Sequence, residues 1–194
     1  MTSKGELTRE RILAEATKLV HRKGFEATSL SDLMEVTGLK KGCLYFHFSG
    51  KDELSLAVLE KAKAEFFRDL DAKLGEQPAG ERLDHFFKGA LDLNKKKDFE
   101  GGCIFGNTAL EMSGKNPRLA RFVADVFNEW IERMTKIVRD AQNAGAVRKD
   151  IPAAVAARQI IMSMEGAIML TRLEKSGKPM KDCVESLRVL LGMK

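Results

Sequence analysis

Apolar residues recur every three or four positions along most of the chain, and no long stretch alternates apolar with polar residues. One apolar face repeats at every fourth position up to Gly75 and consists of Leu54, Val58, Ala62, Phe66 and Leu70. This spacing is typical of an amphipathic helix, whereas a half-buried strand requires strict alternation. The sequence therefore predicts an all-α fold.

Capping residues mark the expected ends of the N-terminal helix. Thr8 is predicted to be its N-cap, with Leu7 packed against Ile12 as a hydrophobic staple. Gly24 is predicted to end this helix as a left-handed cap.

Three further helices are predicted to follow in close succession. A short one begins at the N-cap Thr28 and is broken by Thr37-Gly38 after about two turns. Another short segment covers Lys40 to Phe48, and a longer helix runs from Lys51 to Gly75.

Similar signals divide the second half of the chain. Asn116-Pro117 is an N-cap and first-position pair that opens a long helix, which stops at Gly145. Pro152 opens the next helix, and the last runs from about Met180 to Leu191. The basic run Lys95–Lys97 is expected to be a solvated helix end and not a binding patch.

Composition and charge restrict the classes of protein that fit. The 194 residues are 44% apolar, which suffices for a hydrophobic core, and 33 basic against 28 acidic residues favour a polyanionic partner. The polar stretch Met1 to Glu10 does not suit a signal peptide, and no run of 18 apolar residues occurs, so a cytoplasmic protein without membrane contact is expected. Cys43, Cys103 and Cys183 are odd in number and far apart, which predicts reduced thiols.

The segment from Thr28 to Lys51 contains the residues that most strongly suggest a binding function. Two short helices joined across a glycine, with another helix before them, match the helix-turn-helix arrangement, whose second helix enters the major groove of DNA. The residues suited to touch phosphates or bases are Thr28, Ser29, Lys40, Lys41, Gly42, Tyr45, His47 and Lys51. The same residues are equally compatible with a small helical hairpin that carries a surface lysine pair and binds no nucleic acid.

A family resemblance bears on this choice. The string from Thr37 to Phe48, followed by Lys51 and Glu53-Leu54, resembles the DNA-binding signature of the TetR/AcrR family of transcriptional regulators. The resemblance adds Cys43 and Phe46 to the candidate DNA-binding residues. It implies a homodimer of nine or ten helices per chain that binds a palindromic operator, most often as a repressor, and is released by a small molecule.

The resemblance also implies a division of the chain. Residues 1–50 would form the helix-turn-helix domain, and residues 51–194 a helical domain for effector binding and dimerisation, with 51–74 as the connecting helix. Three positions depart from the family pattern. Lys40 replaces the usual serine cap, Cys43 replaces a threonine hydroxyl with a weak donor, and Met34 replaces a smaller alanine.

An effector pocket follows from the resemblance alone, and its occupant is expected to be small and largely apolar. The candidate lining residues are Phe86, Cys103, Phe105, Asn107, Phe122, Trp130, Met162 and Glu165. Aromatic and methionine side chains at helical spacing are more often core than pocket. Glu165 lies in an apolar run, where it is either buried with a raised pKa or placed on the outer face.

Cys103 allows an alternative mechanism. The string Gly101 to Asn107 resembles a subgroup in which some members sense electrophiles or oxidants, and a thiol at a helix N-terminus is activated. An inert buried thiol is the competing interpretation.

The resemblance assigns dimerisation to the last two long helices. The residues predicted for this interface are Ile161, Met164, Ile168, Val184, Leu187 and Leu191. Gly166-Ala167 would allow the partner's helices to approach closely. A two-fold dimer would place the recognition helices about one DNA turn, ~34–36 Å, apart.

Two other classes of protein, an enzyme and a helical ligand-binding protein, are alternatives to a regulator. An enzyme is disfavoured because the three histidines are scattered and no nucleophile–base pairing, phosphate-binding glycine motif or metal-ligand spacing is found. No cofactor and no metal are therefore expected. A helical ligand-binding protein without DNA function is the second alternative, and specific, salt-dependent DNA binding would exclude it.

Overall fold

The computed structural model describes residues 3–96 and 101–193, and in these residues it contains helices and no strand. The helices are α1 (Lys4–Lys23), α2 (Leu30–Thr37), α3 (Lys41–His47), α4 (Lys51–Gly75), α5 (Arg82–Lys96), α6 (Ile104–Met112), α7 (Pro117–Asn143), α8 (Ala153–Glu174) and α9 (Lys178–Leu191). The all-α prediction is confirmed. The run Lys95–Lys97 lies outside the described side chains.

The helix signals in the second half of the chain are confirmed by local hydrogen bonds. The Asn116 side chain accepts from the Leu119 amide at 3.2 Å, and Pro117 is the first residue of α7. Gly145 follows α7 with a φ of +73°, a backbone conformation that glycine adopts without strain.

The predicted start of α1 is wrong. Ser3 is the N-cap, and it forms a capping box in which its hydroxyl accepts from the Glu6 amide at 3.2 Å and its own amide donates to the Glu6 carboxylate at 2.6 Å. Thr8 lies one turn inside the helix and donates to the Lys4 carbonyl at 2.9 Å. Leu7 is likewise inside α1, so the proposed staple does not form.

The predicted cap of α2 is also displaced by one residue. Ser29 is the N-cap, and its side chain and backbone form a capping box with Asp32. The Thr28 hydroxyl instead donates to the Gly24 carbonyl at 2.6 Å and is buried. Gly24 does end α1 as predicted, but its φ of +85° and ψ of 170° lie outside the left-handed helical region.

The described residues form two compact units. The first comprises the residues up to Phe67 together with Ile104–Val123, and the second comprises the described residues of Arg68–Cys103 with those from Ala124 onward. Fully buried core residues of the first include Ile12, Val58, Leu59 and Leu119, and those of the second include Phe87, Met134, Ile160 and Met180. A domain boundary at residue 50 stays a prediction.

Within the first unit, α6 is tied to the turn that follows α1. One carboxylate oxygen of Glu111 accepts hydrogen bonds from the Phe25 amide at 2.8 Å and the Glu26 amide at 3.1 Å. Lys115 forms an ion pair with Glu26 at 2.6 Å. We call Glu111 and the turn Gly24–Glu26 the α6 clamp.

Gly24 is the residue on which the clamp places the strictest demand. Its dihedral angles fall in a region that is essentially restricted to glycine. A Cβ added there would lie 2.1 Å from a Glu111 carboxylate oxygen. Any side chain at this position therefore strains the backbone and displaces the carboxylate.

One helix of the second unit, α8, is long and apolar enough to cross a membrane by length and composition. It packs against α9 and buries one of its faces, which includes Ile160, Ile161 and Met164. This pattern is that of a helix in a protein core.

We predict that Gly24→Ala lowers the free energy of unfolding by about 1–3 kcal/mol, because it introduces backbone strain and disturbs the Glu111 carboxylate. Urea unfolding followed by circular dichroism measures this. Gly89→Ala in α5 is the matched control, since its added Cβ meets nothing within 4 Å and is expected to be neutral or stabilising. Equal effects of the two substitutions would contradict the clamp.

Candidate functional site

Helices α2 and α3 are joined by a tight turn at Gly38. Gly38 adopts the left-handed conformation, with a φ of 65° and a ψ of 14°, which ends α2 and lets α3 start three residues later. The buried Thr37 hydroxyl donates to the Leu33 carbonyl at 2.5 Å, and Arg11 of α1 donates to the Thr37 carbonyl at 3.3 Å. These contacts hold the C-terminal end of α2 and tie it to α1 at the point where the chain turns towards α3.

Helix α3 presents two different faces. Leu44, together with Phe48 directly after the helix, is buried against the core of the first unit. The outer face exposes Lys41, Gly42, Tyr45 and Phe46. The Lys41 ammonium lies 5.8 Å from the centre of the Tyr45 ring, a cation–π distance. Cys43 and His47 are half-buried at the border between the faces.

The start of α3 carries a cation in place of a cap. Lys40 occupies the N-cap position, is exposed, and makes no side-chain hydrogen bond to the helix. Lys51 is exposed at the start of α4, and its ammonium donates to the Glu26 carbonyl at 3.4 Å. Three lysines, Lys40, Lys41 and Lys51, are therefore available at this surface to meet phosphates.

Thr28 and Ser29 differ in what they can contact. Ser29 is exposed, whereas the Thr28 hydroxyl is buried and already donates to the Gly24 carbonyl. Contrary to the prediction, the buried Thr28 hydroxyl is therefore not placed to meet a phosphate.

The charge of the Asp32 carboxylate, which adjoins Ser29, is offset by a neighbouring lysine. Lys23 and Ser29 hydrogen-bond to Asp32 and hold the pKa of its carboxyl well below the usual range. Asp32 is thus anionic at neutral pH, and Lys23 at 2.8 Å offsets its charge. The negative charge that adjoins the lysine surface is balanced locally.

Three of the candidate effector residues lie in the first unit. Phe105 is buried, with its ring edge-on to Phe66 at 6.0 Å between centroids. Phe122 is half-buried, and the Lys63 ammonium lies 6.0 Å from its ring centre. Asn107 is half-buried on α6.

The other five candidates lie in the second unit. Trp130 is buried and stacks on Phe127 at 6.1 Å, and Phe86 is half-buried beside Phe87. Met162 exposes 56% of its surface, so it faces away from the core of its own unit.

Cys103 and Glu165 are brought together by the fold. The Cys103 side chain, directly before α6, hydrogen-bonds to the Glu165 carboxyl on α8. The other Glu165 oxygen, Oε1, is buried and has no hydrogen-bond partner among the described residues. Burial raises the pKa of Glu165, and the contact with Cys103 opposes this only in part. Glu165 is half-buried, and its carboxyl group is on the inner side, so the structure favours the inward placement of the two that the sequence left open.

The residues predicted for the dimer interface are mostly committed to the core. Ile161, Met164, Val184, Leu187 and Leu191 are buried within the second unit, and Ile168 is half-buried. The apolar residues that α8 and α9 expose are Val155, Met162, Met169, Leu170, Leu173, Val189 and Leu190. The predicted interface residues therefore lie mainly on the inward faces of α8 and α9.

Glu111, which holds the turn before the helix-turn-helix, is not indicated by the sequence pattern. Its partners, the amides of Phe25 and Glu26, lie more than 80 residues away along the chain and are backbone groups, which leave no trace in the amino-acid pattern. Within residues 3–96 and 101–193, no group of three or more histidine, cysteine or acidic side chains is placed to hold a metal ion.

An all-helical chain with an N-terminal helix-turn-helix and an exposed cationic face on its second helix is a DNA-binding transcriptional regulator by class. Residues 12–58 match the model of the bacterial regulatory proteins of the tetR family, and residues 79–187 match the model of the tetracyclin repressor-like C-terminal domain. The chain belongs to the TetR family of transcriptional regulators.

Individual relatives agree with this assignment over nearly the whole chain. A TetR transcriptional regulator from Chloroflexus aurantiacus is 32% identical, with a TM-score of 0.87 over 97% of this chain and 96% of that one. The transcriptional repressor DhaR from Mycobacterium sp. strain GP1 is 24% identical over 89% of this chain and 86% of its own length. The regulator LmrA from Bacillus subtilis is 28% identical over 93% and 96%.

We predict that Glu165→Gln stabilises the protein increasingly as the pH rises above 4.5. The folded state holds the Glu165 proton more tightly than the unfolded state does, so stability falls as the pH rises from the ordinary value of 4.5 through the raised folded pKa. A neutral glutamine removes this loss.

Urea unfolding at a series of pH values and one protein concentration measures the difference. Glu132→Gln, an exposed carboxylate on α7, is the control and is expected to run parallel to the native protein. A Glu165→Gln curve that also runs parallel would contradict the buried carboxylate.

Proposed function

We propose that this protein is a repressor that binds a palindromic operator as a homodimer through α3 and leaves the DNA when a small, largely apolar molecule binds. The observation that carries the proposal is the outer face of α3, where exposed lysines and aromatic side chains lie together on a helix anchored by Leu44 and Phe48. We place it in the cytoplasm, where regulators of this family act.

The polar groups of this surface suit two kinds of contact. Lys40 and Lys51 flank α3 and suit phosphates on either side of a groove, since an ammonium group neutralises phosphate without regard to sequence. Tyr45 and His47 carry groups that hydrogen-bond, which suits base edges.

The exposed faces of α8 and α9 support dimerisation. Val155, Met162, Gly166, Met169 and Leu173 follow one another at intervals of three, four or seven residues, so they form a single stripe along α8. An open groove beside this stripe is lined by Gly166 and Ala167 and by Cys183 of α9. A second copy packed in a four-helix arrangement would cover this apolar surface.

The effector proposal rests on the family and on the apolar residues that the second unit leaves half-buried. The Cys103 thiol is hydrogen-bonded to a carboxyl group, and reaction as a thiolate would require that contact to break. This favours a reversible ligand over thiol chemistry. A binding assay with operator DNA, run against small apolar compounds, identifies the effector as the compound that lowers operator occupancy.

We predict that Lys41→Ala and Tyr45→Ala weaken operator binding and leave the unfolding midpoint unchanged, because both side chains are exposed. Lys41→Ala should also reduce the slope of log affinity against log salt by about two, one phosphate contact for each protomer. Fluorescence anisotropy with a duplex enriched from random sequences measures both quantities.

Lys136→Ala, an exposed lysine on α7, is the matched control for the loss of one positive charge. It is expected to change the affinity and the salt slope far less than Lys41→Ala does. Failure of the native protein to enrich any duplex would refute the proposed function, and an equal effect of both lysine substitutions would refute the role of α3.

We predict that the double substitution Met162→Asp, Leu173→Asp converts a dimer into a monomer, because it places one charge in the middle and one at the C-terminal end of the exposed stripe on α8. Light scattering at micromolar concentration measures the mass. Leu110→Asp, at an equally exposed apolar position on α6, is expected to leave the dimer intact. A native protein that is monomeric would overturn the proposal.

A further inference from the structure

Phe46 is the most exposed large apolar side chain among the described residues. It leaves 83% of its surface open to solvent and contacts the ring of His47 edge-on, at 5.2 Å between centroids. Phe48, two positions later, is buried and anchors α3. Phe46 therefore does not pack in the core, and core packing does not explain a phenyl ring at this position.

The position of Phe46 on α3 places it in the middle of the proposed DNA surface. Gly42, one turn earlier on α3, is exposed and has no side chain, and nothing would lie within 4 Å of a Cβ there. Tyr45 and Phe46 are exposed on the same helix. The phenyl ring is therefore open to a partner that approaches this face of α3.

A phenyl ring limits what Phe46 can recognise. It donates and accepts no conventional hydrogen bond, so it does not substitute for Lys41 at a phosphate or for Tyr45 at a polar base edge. The major groove displays one apolar group that differs between base pairs, the C5-methyl group of thymine. Contact with that methyl group would bury apolar surface on both sides.

We propose that Phe46 is a specificity-determining residue that selects thymine in each operator half-site by contact with its C5-methyl group. The proposal rests on the proposed function, since it requires α3 to lie in the major groove. Lysine contacts then supply affinity that is independent of sequence, and Phe46 supplies discrimination between thymine and the bases that lack the methyl group.

The test removes the methyl group and nothing else. In a duplex enriched by the native protein, each symmetric pair of thymines is replaced in turn by deoxyuridine, which keeps every hydrogen-bonding group. At one symmetric pair of thymines, or at two adjacent pairs, the affinity of the native protein should fall about fourfold for each methyl group removed, as the burial of one methyl-sized group implies. Because each pair contains two methyl groups, the replacement of one pair should lower the affinity about fifteenfold.

Phe46→Ala should bind more weakly and lose this sensitivity, with equal affinity for the thymine and deoxyuridine duplexes. Leu7→Ala, at an exposed apolar position on α1, should keep the sensitivity of the native protein. A native protein that tolerates deoxyuridine everywhere, or a Phe46→Ala variant that remains as sensitive as the native protein, would overturn the inference. Absence of any specific duplex would instead refute the proposed function.

Discussion

The carboxylate of Glu111 holds the turn from which the helix-turn-helix begins. One of its oxygens accepts from two backbone amides that α1 and α2 leave without helical partners, those of Phe25 and Glu26. The Phe25 hydrogen bond is partly buried and the Glu26 hydrogen bond is exposed. A typical hydrogen bond contributes about 0.5–1.5 kcal/mol, so this single side chain stabilises a turn that has no regular structure of its own. The same turn supplies the Gly24 carbonyl to the buried Thr28 hydroxyl, which positions the start of α2.

The chemistry of α3 follows from what this scaffold leaves exposed. Because Leu44 and Phe48 are buried, the spacing of the helix forces Lys41, Gly42, Tyr45 and Phe46 outward. Lys40 leaves α3 without a side-chain cap, which costs about 0.5–2 kcal/mol, and places an exposed cation at the start of the helix. The start of α3 is therefore less stable than a capped helix start and carries a positive charge.

Much of the fold could be predicted because its signals are local. The Asn116-Pro117 start of α7 and the glycine after α2 depend only on neighbouring residues, and both were found. The caps of α1 and α2 were misassigned because a nearby threonine offers the same hydroxyl as the serine, five residues away in α1 and next to it in α2. Only the acidic residue three positions after the serine, Glu6 or Asp32, distinguishes the true cap. The dimer interface on α8 and α9 stays a prediction. Both helices bury an apolar face within the chain and also expose apolar side chains, and periodicity does not tell which of these a partner chain would cover.

An effector changes DNA binding only through a difference in its affinity for the DNA-competent and DNA-incompetent arrangements. A preference of about 3 kcal/mol lowers operator occupancy some hundredfold, and equal affinity for both changes nothing. Cys103, which is hydrogen-bonded to Glu165, directly precedes α6 in the chain, and α6 carries Glu111. The hydrogen bonds of Glu111 are 2.8 and 3.1 Å long, so a displacement of α6 by roughly 1 Å breaks both. Gly24 keeps this contact possible, because a Cβ at that position would lie 2.1 Å from a carboxylate oxygen of Glu111.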